Sequence, residues 1–167
     1  MNTDAKKTAL RMIPYGLYVL TAEGEDGAVA AAAVSWVTQC SFAPPLVAVG
    51  VKADSGAHAL IKATGVFALN VLGKEQSGVA ATFFKPLERE GDTIGGQPFV
   101  KGDAGAPLLT IAPAWLECKL VDTVERGDHS VFIGEVVGAG VRQVPSGRPD
   151  LATLWLSDLG EKIFYGG

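Results

Sequence analysis

The chain has 167 residues, 48% of them apolar and 19% charged, which is enough for one packed core and excludes disorder. The net charge is −4 without any basic cluster, which argues against a nucleic-acid partner. The longest apolar run, residues 28–34, is too short to span a membrane, and no signal-peptide core opens the chain.

Two separate cysteines, Cys40 and Cys118, form neither a CxxC pair nor a disulfide framework, so a reducing cytoplasm is the expected compartment. The apolar fraction exceeds what one small monomer readily buries, which predicts a subunit interface. The 21 glycines are spread without a repeat, as turns in a strand-rich fold would place them.

In chain order, residues 4–13 read as a short helix, with Thr3 or Asp4 as cap and Pro14 as stop. "YGLYVLTA" (15–22) is the first predicted strand, "EGEDG" (23–27) a turn, and a second strand starts at Ala28. "LVAVGV" (46–51) is a strand after the Pro44-Pro45 break. "DSGAHALIKATG" (54–65) has Ala57, Leu60, Ile61 and Thr64 at helical spacing, a cap at Asp54 or Ser55 and a stop at Gly65. "VFALNVL" (66–72) is strand and "EQSGVAATFF" (75–84) helix, with Val79, Ala80, Phe83 and Phe84 on one face.

Residues 85–114 show no sustained period and read as a long functional or interface loop. In "WLECKLVDTV" (115–124), Leu116, Cys118, Leu120 and Val124 fall on one side and Glu117, Lys119 and Thr123 on the other. "RGD" turns the chain into its partner strand, 129–140, and "TLWLS" and "KIFYGG" close it. The expected fold is mainly β with short helices, one domain over residues 1–167, an antiparallel barrel rather than a doubly wound sheet.

Four places carry chemistry-bearing residues. Between two apolar strands, residues 35–41 read Ser35, Trp36, Val37, Thr38, Gln39, Cys40 and Ser41. Such a run can line the edge of a flat heteroaromatic ring bearing carbonyl and imide groups, or it can be a solvated sheet edge with cross-strand Thr/Ser pairing. "VKADSGAH" (51–58) puts Lys52 and Ser55 at a helix N-terminus, suited to one phosphate or to ordinary capping. In "FFKP" (83–86), Lys85 can reach a phosphate or complement the helix dipole. "RGDHS" (126–130) presents His129 from a tight turn, toward a cleft or toward water. No GxGxxG follows a strand, no GxxxxGK[ST] or GxSxG occurs, and the two histidines and two cysteines lack metal-ligand spacing.

The ordered set "YGLYVLTA", "AVSWVTQCSFAPPLVAVGV", "KADSGAHALI", "GVFALNVL", "AWLECKLVDTVERGDHSVFIGEVV" and "YGG" resembles the flavin reductase-like family of FMN-binding split-barrel proteins, from about Tyr15 onward. The resemblance implies a split-barrel homodimer with one FMN per subunit (FAD is the alternative) and NADH or NADPH as donor. It implies that Ser35 to Ser41 run beside the flavin and its ribityl chain. Lys52 and Ser55 would contact the phosphate, His58, Phe84 and Lys85 would bind cofactor, and His129 would lie at the reactive face where nicotinamide stacks. Hydride would pass from nicotinamide C4 to flavin N5, with the flavin carrying the chemistry. Electrons would then go to free flavin, a ferric chelate, or a partner oxygenase or electron-transfer protein.

Two departures stand out. Many family members that serve two-component monooxygenases read "MTANSF" where this chain reads "AAAVSWV" from Ala31, so that Ser35 replaces the usual asparagine and Ala33 the threonine. Trp36 adds a large ring at a usually small position. This version resembles a "SWVTQxSF" subgroup that includes flavoprotein domains, and Trp36 can shield the flavin or narrow the nicotinamide slot. The alternatives are an electron-transfer flavoprotein reduced by a protein donor and a non-catalytic FMN-binding domain.

Overall fold

The computed structural model describes all 167 residues. Helix α1 (Thr3–Arg11) is capped by Asn2, whose side-chain oxygen accepts from the Ala5 N–H at 2.9 Å, one residue before the expected caps. Strands β1 (Tyr18–Glu23), β2 (Val29–Val34), β3 (Val37–Ser41) and β4 (Leu46–Lys52) follow. Helix α2 (Gly56–Thr64) starts at Ser55 and ends at Gly65, whose φ of 68° is the left-handed stop that glycine adopts without strain. Then come β5 (Val66–Val71) and α3 (Ser77–Thr82). Of the face expected on α3, Ala80 and Phe83 are buried, whereas Phe84 lies just past the helix and is exposed.

Residues 85–114 are not a structureless loop. They hold β6 (Arg89–Glu90), β7 (Thr93–Ile94), β8 (Gln97–Lys101) and β9 (Pro107–Leu109), a small antiparallel sheet. Strands of two to five residues are too short to reveal a period in the sequence. The sheet covers Leu17 and Val19 from outside through Ile94, Phe99 and Leu109.

The long strands β10 (Ala114–Glu125) and β11 (His129–Val141) complete an antiparallel seven-stranded sheet of order β2-β1-β5-β10-β11-β4-β3. A short helix, α4 (Pro149–Ala152), follows. The closing segments are not strands: Thr153 and Trp155 make single bridges to Gly73 and Gly16, and residues 161–167 are irregular.

The two edge strands, β2 and β3, are consecutive in the chain and joined only by Ser35 and Trp36. The sheet must therefore curl until its edges meet at that corner. No ladder pairs β2 with β3; the Trp36 carbonyl instead accepts from the Gly50 N–H at 2.8 Å. Inside the curl lie Leu20, Val49, Val51, Phe67 and Phe132, closed by Ala57 and Ile61 of α2. Full burial stabilises each large side chain by roughly 1.5–3 kcal/mol. Gly134 leaves room there for Phe67, whose ring would crowd an added Cβ at 2.5 Å.

Strand β10 departs from its expected two-faced pattern. Glu117 is buried because residues 102–106 fold over it, and its carboxylate accepts from the Ala106 N–H at 2.9 Å. The ladder slips between Leu120 and Asp122, and the bulge turns Val124 outward.

Candidate functional site

The corner between the sheet edges is where the polar stretch begins. Ser35 is only 5% exposed. Its Oγ and the Nε1 of Trp36 are the two buried side-chain polar atoms of the chain that lack any hydrogen-bond partner. Folded chains rarely leave such atoms unmatched, since each costs about 1–3 kcal/mol. Two in consecutive residues fit a ligand with polar edge atoms.

The rest of the stretch differs. Thr38, Gln39 and Cys40 are exposed, and Thr38 and Gln39 bond only to carbonyls within the stretch, those of Gln39 and Ser41. Gln39, Cys40 and Ser41 line a cleft of about 280 Å³ with Phe42. Val37 is half-buried and packs against the interior cluster.

The Trp36 indole lies on Gly50, where an added Cβ would meet ring atom Cε3 at 3.0 Å. Beside it stands His129, with ring centroids 4.6 Å apart at 52°. His129 opens β11 directly opposite Lys52, and both side chains project from the outer face of the sheet. That face brings Lys52, His129 and Trp36 together.

The histidine is held at both nitrogens. Nδ1 lies 2.9 Å from Asp128 Oδ1 and Nε2 2.7 Å from the Tyr165 hydroxyl. The hydrogen bond from His129, its charge when protonated and nearby Lys52 hold the Asp128 carboxyl below its ordinary range. Burial pushes the Tyr165 phenol above its ordinary value. Tyr165 also packs on Trp36 at 5.2 Å, which joins the three rings into one cluster.

At the start of α2, Ser55 accepts from the His58 N–H at 3.2 Å and donates to the Lys52 carbonyl at 2.7 Å, as a cap does. Lys52 pairs with Asp54 at 3.1 Å on the surface. The first N–H groups of the helix have no intrahelical acceptor. A phosphate there would compete with Asp54 for Lys52. His58 points inward: its Nε2 meets Ser130 Oγ at 2.8 Å, and its ring packs on Phe132 at 4.9 Å. Phe84 lines a second cleft, about 350 Å³, with Ser77, Ala81, Leu159 and Ile163. Lys85 is exposed. This segment is tied to the corner, because the Phe83 carbonyl accepts from the Ala33 N–H at 3.0 Å.

Sequence reasoning passed over Asp128 and Tyr165. Asp128 was visible as an acid beside the histidine in a turn. Tyr165 was not, since only the fold brings residues 36 positions apart into contact.

The family profile described as "Flavin reductase like domain" matches residues 10–156. The chain belongs to that family. It is 32% identical over 149 residues to the NADH-dependent flavin reductase StyB of Pseudomonas fluorescens, covering 89% of this chain and 85% of that protein. Among solved structures, it superposes on the styrene monooxygenase flavin reductase of Pseudomonas putida with a TM-score of 0.71 and 35% identity, covering 84% of this chain and 88% of that one. An NADH:FAD oxidoreductase of Streptomyces globisporus, solved with NAD and FAD fragments, gives 0.71 and 30%, covering 84% and 85%. The matched range includes the Ser35–Trp36 corner, Asp128 and His129, and ends before Tyr165.

Proposed function

We propose that this chain is an NAD(P)H-dependent flavin oxidoreductase that binds FMN at the Ser35–Trp36 corner of a split-barrel homodimer. The observation that carries this reading is the pair of orphaned buried atoms, Ser35 Oγ and Trp36 Nε1, at the start of the stretch that resembles the family's flavin-lining segment. A bound flavin would supply two-electron acceptor chemistry. Ser35 and Trp36 present hydrogen-bond groups to its ring edge. Lys52 and the positive end of α2 hold the phosphate. His129, oriented by Asp128 at Nδ1, faces the reduced nicotinamide. Electrons then pass to free flavin, a ferric chelate or a partner oxygenase. The relatives' NADH dependence supports the donor.

The dimer reading is supported by exposed apolar side chains on the paired long strands, Val121, Val124, Val131 and Val137, on a face continuous with His129. A cytoplasmic setting is part of the same reading, and no helix is long and apolar enough to cross a membrane.

A second reading is an electron-transfer flavoprotein fed by a protein donor. It is favoured by the packing of Trp36 and Tyr165 against His129, which crowds a nicotinamide slot. Anaerobic mixing of the flavin-loaded protein with NADH or NADPH separates the two. Bleaching of the flavin band supports the reductase, and an unchanged band supports a protein donor.

A further inference from the structure

His129 has no ring nitrogen free for a ligand. The Asp128 carboxylate only accepts, so Nδ1–H donates to it at 2.9 Å. In the neutral imidazole that leaves Nε2 as an acceptor, and the Tyr165 O–H donates to it at 2.7 Å. A phenol keeps its proton at neutral pH, and burial pushes its pKa further up.

The segment carrying Tyr165 belongs to no helix and no strand ladder. Tyr165 is 46% exposed and lies in an irregular segment. Gly166 rests on Trp36, and its carbonyl accepts from Arg11 Nε at 3.3 Å. The Arg11 guanidinium sits 4.4 Å from the Phe164 ring centroid. All of these anchors are exposed or single, which marks a segment of low local stability.

We infer that residues 163–166 form a displaceable strap in which Tyr165 occupies the donor slot, one aromatic ring against Trp36 and one hydrogen bond into His129 Nε2. The inference rests on the oxidoreductase reading above. An amide-bearing flat heteroaromatic ring, such as a nicotinamide carboxamide, takes both positions: ring for ring beside Trp36, and N–H for O–H at Nε2. Entry therefore requires Tyr165 to leave. The strap sets a threshold for donor affinity and favours donors whose ring carries an N–H group.

The test is anaerobic stopped-flow reduction of flavin-loaded wild type, Tyr165→Phe, Tyr165→Ala and Arg11→Ala over a range of NADH concentrations. Loss of one competing hydrogen bond is expected to lower the half-saturating NADH about fivefold in Tyr165→Ala. Tyr165→Phe should fall in the same direction. Arg11→Ala, which loosens the tail without touching the slot, should also tighten NADH. Flavin affinity should stay unchanged in all three. An unchanged or raised half-saturation, or lost reduction, in the Tyr165 variants overturns the strap while leaving the reductase reading in place. A wild-type protein that neither NADH nor NADPH bleaches overturns both.

Discussion

The Trp36 indole and the His129 imidazole stand 4.6 Å apart, although one belongs to a sheet corner and the other to the start of a long hairpin strand. The contact exists because β3 and β11 flank β4, whose Gly50 offers Trp36 a flat seat. His129→Ala removes the ring that faces the donor but leaves Ser35, Lys52 and the fold intact. Flavin reduction should slow about tenfold or more, the equivalent of a lost hydrogen bond to a polar ligand, with little change in flavin affinity. Rapid-mixing kinetics beside a flavin titration measure both. Equal losses in the two would remove His129 from the donor face.

Ser35→Ala has an unusual expected signature. In the flavin-free protein the buried hydroxyl is unmatched, so its deletion should leave stability unchanged or raise it by about 1 kcal/mol. Flavin affinity should fall about fivefold, because the ligand loses a partner. Thermal unfolding without flavin and a fluorescence titration read the two signs. A destabilised protein with undiminished affinity would mean that the hydroxyl serves the fold.

Much of this was legible in the sequence. Helix α2 has its cap at Ser55, one of the two offered, and its stop at Gly65, and "LVAVGV" forms β4 as expected. The polar stretch 35–41 read as a ring-lining run or a solvated sheet edge, and its residues 37–41 form the edge strand β3. What was hidden depends on three dimensions. Periodicity along β10 cannot show that a bulge near Val121 flips Val124 outward, nor that residues 102–106 bury Glu117. His58 read as a cofactor-binding residue, and the sequence could not show that its ring reaches Ser130 across the fold. Tyr165 belonged to the closing "YGG", but nothing in the sequence tied it to His129.

Lys52 and Ser55 divide the helix start between them. Ser55→Ala should cost about 1 kcal/mol of stability, because the hydroxyl caps α2. Lys52→Ala should leave stability nearly unchanged and weaken FMN about tenfold, with riboflavin unaffected, since only FMN carries the phosphate. Calorimetric titration with both flavins checks this. Equal weakening of the two would move the phosphate elsewhere.

The two cysteines should react very differently. Burial, followed by the neighbouring Glu117, pushes the Cys118 thiol up to about 12, so it stays protonated and inaccessible at neutral pH. Cys40 is exposed beside Gln39 and Ser41. A thiol reagent should label one cysteine in the native protein and two after denaturation, and bound flavin should slow the labelling of Cys40. Labelling that ignores saturating flavin would place Cys40 away from the cofactor.

The central claim, a flavin lodged at the Ser35–Trp36 corner, is tested most directly by titrating the flavin-free protein with FMN and following flavin fluorescence. The account predicts quenching that saturates at one FMN per chain and weakens about fivefold in Ser35→Ala. Fluorescence that never departs from that of free FMN, at any protein concentration, would contradict it.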